Sequence, residues 1–174
     1  HLNKPEWPPL HDGDLVLRTG NDLISELFTQ LNQHDKTYSH CGILMQENGQ
    51  WVVYHSIGGE ENPDEHLRKE PLQHFVSPDH NLGYAVCRYP FTGTQQLRLR
   101  SILDSLYKTG VRFDMQFNLK SDDRLYCAEM VYKAFNKTLC TASFCQTSMH
   151  QGFEYVSTDN LFLHDSMKML CHVV

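Results

Sequence analysis

The segment 39–59, SHCGILMQENGQWVVYHSIGG, restricts the possible folds of this chain more than any other stretch. Two apolar runs flank the pair Asn48-Gly49, and an Asn-Gly pair in this context is the strongest short-range signal of a β-hairpin with a two-residue turn. If these two residues form the turn, Leu44 faces Val53 across the hairpin. The sequence therefore predicts an antiparallel strand pair at this place.

The same register brings two histidines together. It pairs Gly42 with His55, and His40 lies two residues before Gly42. Because side chains alternate between the two faces of a strand, His40 and His55 are predicted to project from the same face at diagonal positions. A slip of one residue would put them on opposite faces.

Helix and strand signals are mixed along the rest of the chain. Strands are predicted at 14–18, 83–90 and 168–173, and helices at 21–33, 71–76, 94–110, from 127 onward and after Ser157. In the first helix Asn21 is the predicted N-cap, and one apolar stripe is formed by Leu23, Leu27, Phe28 and Leu31. This mixture predicts an α+β fold, an antiparallel sheet or half-barrel packed against helices, in a single domain over residues 1–174.

Composition excludes several classes of partner. The 174 residues are 40% hydrophobic and 21% charged, which is ordinary for a globular protein. The net charge is −6, and Lys and Arg never occur more than two in a row, so no nucleic-acid partner is predicted. No apolar run reaches the roughly 20 residues of a membrane span, so no transmembrane segment is predicted.

None of the six cysteines forms C-x-x-C, so the sequence has no metal-binding or redox motif of this kind. The cysteines are Cys41, Cys87, Cys127, Cys140, Cys145 and Cys171. The sequence does not decide whether the five cysteines other than Cys127 form disulfides. Cys140 and Cys145 flank a polar loop and could form one in an oxidising compartment.

Cys127 stands where a charged loop, SDDRLY, turns into an amphipathic helix. A helix N-terminus stabilises a thiolate through its unpaired N–H groups and its dipole, so Cys127 is a candidate nucleophile. The alternative is a small buried hydrophobic residue, since cysteine is among the most buried residue types. Asp122 and Asp123, just before it, could attract a cationic substrate group or cap the helix.

His40 is a candidate general base, and His55 could orient its ring and fix its tautomer. With 11 histidines in the chain, most must be bystanders, and the predicted shared face is what distinguishes these two. The remaining histidines show no ligand spacing, and signatures such as G-x-S-x-G, a Gly-rich phosphate loop and H-E-x-x-H are missing. We therefore predict no metal and no cofactor.

Four motifs together resemble the YiiX/YaeF-like family of permuted papain-fold amidases: GDLVL at 13–17, YSHCGIL at 38–44, VYHSIGG at 53–59 and FDMQFNLKSDDRLYCAEMVYK at 113–133. That family belongs to the NlpC-type superfamily, which also includes lecithin:retinol acyltransferase-like proteins. The order of histidine, second polar residue and then cysteine is the permuted one. The resemblance implies a circularly permuted papain-like fold.

The resemblance also implies roles for individual residues. Cys127 would be the nucleophile, His40 the base and His55 the third member, although some relatives carry glutamate at that position. A neutral imidazole accepts a hydrogen bond from His40 but brings no negative charge. Tyr126 precedes the nucleophile as in the family, and with Asp122 and Asp123 it is a predicted substrate-binding residue.

The function implied is hydrolysis of an amide bond through a Cys127 acyl-enzyme, with a cell-wall peptide or peptidoglycan fragment as the first candidate substrate. The alternatives are an acyl-transferring or lipid-directed thiol enzyme and a non-catalytic binding module. A peptide amidase should have a polar, partly acidic cleft. A lipid enzyme should have an apolar channel or an exposed apolar patch.

The sequence starts with HLNKPEWPPL, without methionine. Removal of a signal peptide or lipoprotein leader and trimming of the sequence would both explain this start. Because family members are often periplasmic or lipid-anchored, the resemblance favours a periplasmic, secreted or lipid-anchored protein, and a cytoplasmic one stays open.

Overall fold

The structure is a computed structural model that describes residues 7–59 and 62–174. Its main feature is a six-stranded sheet in the order β4-β3-β2-β1-β5-β8, with antiparallel pairing throughout. The strands are β1 Leu15–Gly20, β2 His40–Glu47, β3 Gln50–His55, β4 Arg68–Pro71, β5 Asn81–Arg88 and β8 Lys168–Val173. A separate hairpin is formed by β6 Ser148–His150 and β7 Phe153–Tyr155.

The predicted hairpin is confirmed, including its register. Strands β2 and β3 pair Glu47 with Gln50 and Leu44 with Val53. Asn48 and Gly49 both have positive φ, 50° and 76°, as a two-residue turn of this twist requires. The side chains of β2 therefore alternate as the sequence predicts.

Five helices accompany the sheet in the described residues: α1 Leu23–Thr29, α2 Leu72–Phe75, α3 Gly93–Thr109, α4 Cys127–Leu139 and α5 Thr158–Phe162. Helix α3 begins with a capping box between Thr92 and Gln95 and ends at Gly110, whose φ of 66° is the left-handed conformation typical of a helix end. None of the helices in the described ranges is long and apolar enough to span a bilayer.

Helix α1 differs from its prediction in length and in cap. It is seven residues long, and Asp22 rather than Asn21 caps it by accepting a hydrogen bond from the Ser25 N–H at 2.8 Å. The Asn21 side chain instead donates to the carbonyl of Asp79. The apolar stripe of α1 is largely uncovered, since Leu23 is 78% exposed.

The sheet has an apolar core on each face. Cys41, Ile43 and Met45 of β2 belong to the core that includes α3 and α4, while Leu44 belongs to the core that includes α2. Helix α4 packs on α3 and on β2. Burial of each large aliphatic side chain contributes about 1.5–3 kcal/mol, so this packing holds the first residue of α4 firmly against β2.

The structure therefore has the predicted fold class, a mixed α+β arrangement in which an antiparallel sheet packs against helices.

Candidate active site

Helix α4 begins at Cys127 because the residue before it is held in an extended conformation. The Tyr126 hydroxyl donates to the Val156 carbonyl and accepts from the Val156 N–H, both at 2.8 Å. The Tyr126 N–H donates to the Glu129 side chain at 3.1 Å. These bonds fix the direction in which Cys127 leaves the loop and enters the helix.

Cys127 is almost fully buried, yet it lines a cavity of about 490 Å³. His40, at the start of β2, lines the same cavity. The remaining wall comes mainly from β1, α1 and the loops after β3 and α3, and includes Arg18, Ile24, Phe28, Ile57, Phe113 and Met115. The structure thus brings the predicted nucleophile and the predicted base to one space.

The surroundings of Cys127 favour its thiolate. A hydrogen bond from the Cys41 thiol is the main cause that lowers the pKa of Cys127, and burial acts against it. The N–H groups of Ala128 and Cys41 and the charge of Arg18 lower that pKa further. Burial raises the pKa of Cys41 well above its usual value, so Cys41 keeps its proton and remains a donor. The Ala128 N–H at the start of α4 thus favours the anion, as the position suggests, but the Cys41 thiol of β2 has the larger effect.

The two predicted histidines are in direct contact. His40 Nε2 lies 2.8 Å from His55 Nδ1, and the rings are nearly perpendicular at 77°. The predicted shared face is therefore confirmed. Burial is the main cause that lowers the pKa of His40 well below its usual value; the charge of Arg18, and that of His55 when it is protonated, act in the same direction, so the His40 ring is neutral at neutral pH.

Sequence reasoning missed two residues beside this pair, Glu70 of β4 and Arg18 of β1. Glu70 Oε1 lies 2.8 Å from His55 Nε2. Burial acts to raise the pKa of Glu70, but the close contacts and charges of His55 and His74 lower it to about 2. Arg18 Nη1 lies 3.9 Å from Glu70 Oε1 and donates to the Phe75 carbonyl at 3.0 Å.

The signals for these two residues were weak. Glu70 lies in a polar segment with no apolar alternation, so no strand was predicted there. Arg18 is the last residue of the predicted strand DLVLR, and the sequence marks it only by its charge at the end of an apolar strand.

The three predicted substrate-binding residues do not line the cavity. Tyr126 is 2% exposed and is engaged by Val156 and Glu129. Asp122 pairs with Lys133 at 2.8 Å, and Asp123 is exposed. Neither aspartate caps α4, because Tyr126 occupies the N-cap position. Their role in substrate binding stays a prediction.

All six cysteines are free, so the Cys140–Cys145 disulfide does not form in the structure. Among the residues that the structure describes, no group of three or more His, Cys, Asp or Glu side chains is arranged to hold a metal ion. At the candidate site, both imidazole nitrogens of His55 face protein atoms at 2.8 Å.

Comparisons with known proteins agree with this architecture. YiiX of Escherichia coli strain K12, an uncharacterized protein, is 26% identical over 133 residues, which are 76% of this chain and 60% of that relative's length. The crystal structure of YiiX from Escherichia coli O157:H7, described as a metalloprotein, superposes with a TM-score of 0.76 at 22% identity, over 95% of this chain and 98% of that one.

The family model described as permuted papain-like amidase enzyme, YaeF/YiiX, C92 family, matches residues 9–167, which is most of the chain. The fold and the family model agree, and the chain therefore belongs to the YaeF/YiiX family of permuted papain-like amidases.

Proposed function

We propose that this protein is a thiol hydrolase that cleaves an amide bond, with Cys127 as the nucleophile and His40 as the general base and acid. The observation that carries the proposal is the cavity that both side chains line. Membership in an amidase family supports the reaction class. The contacts that lower the pKa of Cys127 support the assignment of the nucleophile.

The reaction would proceed in two halves. His40 accepts the Cys127 thiol proton, the sulfur attacks the carbonyl carbon, and the protonated imidazole gives that proton to the leaving amine as the C–N bond breaks. Water then gives a proton to His40 and attacks the thioester, the C–S bond breaks, the protonated His40 returns that proton to the departing sulfur of Cys127, and the acid product leaves. The backbone N–H of Cys127 is the natural donor to the oxyanion.

The cavity favours an apolar substrate group over a cationic peptide. Its wall contains Ile24, Phe28, Phe113 and Met115, and Asp22, which caps α1, is its one carboxylate among the described residues. Outside the cavity, exposed Leu23 and Leu27 of α1 extend the apolar surface. Among the described residues, Asp22 is therefore the one acidic side chain at this cavity that could bind a substrate amine, and its carboxylate already accepts from Ser25. This gives a second candidate function, a lipid-directed or acyl-transferring thiol enzyme, more support than a cell-wall peptidase.

Thiol alkylation tests the nucleophile. Iodoacetamide should modify Cys127 at neutral pH faster than it modifies exposed Cys140, as read by peptide mass spectrometry over a pH series. His40→Ala should remove this fast reaction, and Cys140→Ala is the matched control that should keep it. Equal rates for Cys127 and Cys140 in the wild type would contradict the proposal.

A second experiment tests the substrate class. The protein is incubated separately with peptidoglycan fragments, with N-acyl amides and with acyl-lipid mixtures, and adducts on Cys127 are identified by mass spectrometry. Adducts from acyl substrates alone would favour the lipid-directed candidate, and adducts from peptidoglycan alone would favour a cell-wall amidase. A ligand that binds and is never converted by the wild type would identify a binding module instead.

A further inference from the structure

We propose that Glu70 is a positioning residue that acts through His55 to set the tautomer of His40, so that Nδ1 of His40 is the nitrogen that accepts the Cys127 proton. This inference rests on the proposed function, because it concerns the base of that reaction. It assigns a role to a residue outside the nucleophile, base and third member suggested by the family resemblance.

The geometry is a line of three buried groups on three adjacent strands. Glu70 Oε1 of β4 lies 2.8 Å from His55 Nε2 of β3, and His55 Nδ1 lies 2.8 Å from His40 Nε2 of β2. All three residues are less than one-tenth exposed. The direction of the His55 Nε2–H does not satisfy hydrogen-bond geometry in the structure, so this buried atom has no hydrogen-bond partner among the described residues, and Glu70 Oε1 lies within hydrogen-bonding distance of it.

The positions of the protons follow from what each group can accept. An ionised carboxylate only accepts, so the proton of neutral His55 lies on Nε2, where it faces Glu70. His55 Nδ1 then carries a lone pair and accepts from His40 Nε2–H. His40 consequently has its lone pair on Nδ1, the one ring nitrogen that the line does not use. The opposite tautomer of His55 would place a lone pair against a carboxylate.

Neighbouring groups keep the carboxylate ionised and in place. His74 of α2 holds the second oxygen at 2.6 Å, and Arg18 of β1 lies 3.9 Å from the first. Each of these contacts favours the charged form of Glu70. Because Glu70 is on β4 and His55 is on β3, the pairing of His55 with Arg68 in the register fixes the offset between the two side chains.

Glu70 also supplies the negative charge that the neutral His55 ring lacks. When His40 becomes a cation during the reaction, its Nε2–H still donates to His55, and the negative charge of Glu70 stands behind that ring. The cation is thereby stabilised through one intervening imidazole, without any proton transfer to Glu70.

Nitrogen-15 NMR of the imidazole rings tests the proposal in the unmodified protein. In the wild type at neutral pH, His40 should show a protonated Nε2 and an unprotonated Nδ1, and His55 the same pattern. A His40 ring protonated at Nδ1 would overturn the proposal directly, whatever any variant does.

Two substitutions of Glu70 separate its role as a hydrogen-bond acceptor from the role of its negative charge. Glu70→Leu removes both, and we expect a mixed His40 tautomer and a fall of about tenfold or more in the Cys127 alkylation rate at neutral pH. Glu70→Gln keeps an acceptor, so the wild-type tautomer should persist with an intermediate rate. Glu47→Gln is the matched control, because Glu47 is a paired carboxylate of β2 outside the cavity wall.

The outcomes distinguish a failure of the role of Glu70 from a failure of the proposed function. If Glu70→Leu keeps the wild-type tautomer and pH profile while His40→Ala loses the reactive thiol, the role of Glu70 is wrong and the proposed function stands. A mixed tautomer in Glu70→Gln equal to that in Glu70→Leu would also contradict the role of Glu70 as described. If His40→Ala keeps full thiol reactivity, the proposed function itself fails.

Discussion

Cys127 combines burial with contacts that favour its charged form, two influences that act in opposite directions on a thiol. Burial alone would raise its pKa, and the hydrogen bond from Cys41 is the main cause that lowers it instead. Cys41 follows His40 directly on β2, so the two side chains lie on opposite faces of the strand. His40 is the candidate base, and Cys41 contacts the candidate nucleophile Cys127. The Cys41 thiol belongs to the core and is also the contact that most lowers the pKa of Cys127.

We expect Cys41→Ala to slow alkylation of Cys127 at neutral pH by about tenfold to a hundredfold, because one hydrogen bond to a charged group contributes roughly 1.5–3 kcal/mol. The measurement is the pH profile of iodoacetamide labelling. Cys87→Ala is the matched control, since Cys87 is an equally buried cysteine of β5 outside the cavity wall. An unchanged profile in Cys41→Ala would show that the Cys41 thiol does not stabilise the anion.

At the scale of elements, the hairpin of β2 and β3 determines whether the two histidines can meet. A Cβ placed on Gly42 would lie 2.5 Å from Val53 Cγ1, 2.8 Å from the Tyr54 carbonyl and 3.0 Å from His55 Cβ. The glycine therefore permits the close approach that brings His55 to His40.

We expect Gly42→Ala to destabilise the fold by about 1–3 kcal/mol, because the added methyl group must displace β3. It should also slow Cys127 alkylation by separating the imidazoles. Urea unfolding and the labelling rate measure the two effects. Gly93→Ala is the control, since a Cβ there meets nothing within 4 Å, and a Gly42→Ala protein as stable as that control would contradict the account.

Helix α1 is the element whose exposure the sequence did not reveal. Its stripe looks like an ordinary core-facing pattern, yet Leu27 is 65% exposed beside the cavity. Leu27→Gln should leave the free energy of unfolding nearly unchanged and should raise the KM for acyl substrates without raising it for short peptides. An unchanged KM for both substrates would remove the support that α1 gives to an apolar ligand.

Local sequence signals were enough for the hairpin register and for the start of α4, because turn residues and apolar periodicity act within a few positions. They were not enough for Glu70, whose strand is short and charged and is recognisable only by its pairing with β3. The uncovered face of α1 was equally hidden. Periodicity reports that a stripe exists, whereas tertiary packing decides whether another element covers it.

At the scale of the whole molecule, buried histidines make stability depend on pH. Burial is the main cause that lowers the pKa of both His40 and His55 below the usual value of 6.5. At acidic pH the unfolded chain therefore binds more protons at these two rings than the folded chain does. The stability that the neutral rings contribute is present above about pH 6.5 and is lost as the pH falls below that value.

We expect the free energy of unfolding to decrease between about pH 6.5 and pH 5. Urea titrations at a series of pH values measure this, and His55→Asn should flatten the dependence. His172→Asn is the control, because His172 is exposed on β8. A wild-type stability that is flat over this interval would contradict the assignment of two buried neutral rings. The low pKa of Glu70, about 2, adds a separate loss that begins only at more acidic pH.

Strand β4 is four residues long and lies at one edge of the sheet, with a partner strand on one side only. Edge strands of this kind fray on warming before the centre of a sheet melts. Since Glu70 belongs to this strand, we expect gentle heating to abolish the fast alkylation of Cys127 while far-ultraviolet circular dichroism still reports native secondary structure. Cooling should restore the fast alkylation, and amide hydrogen exchange should be faster in β4 than in β1.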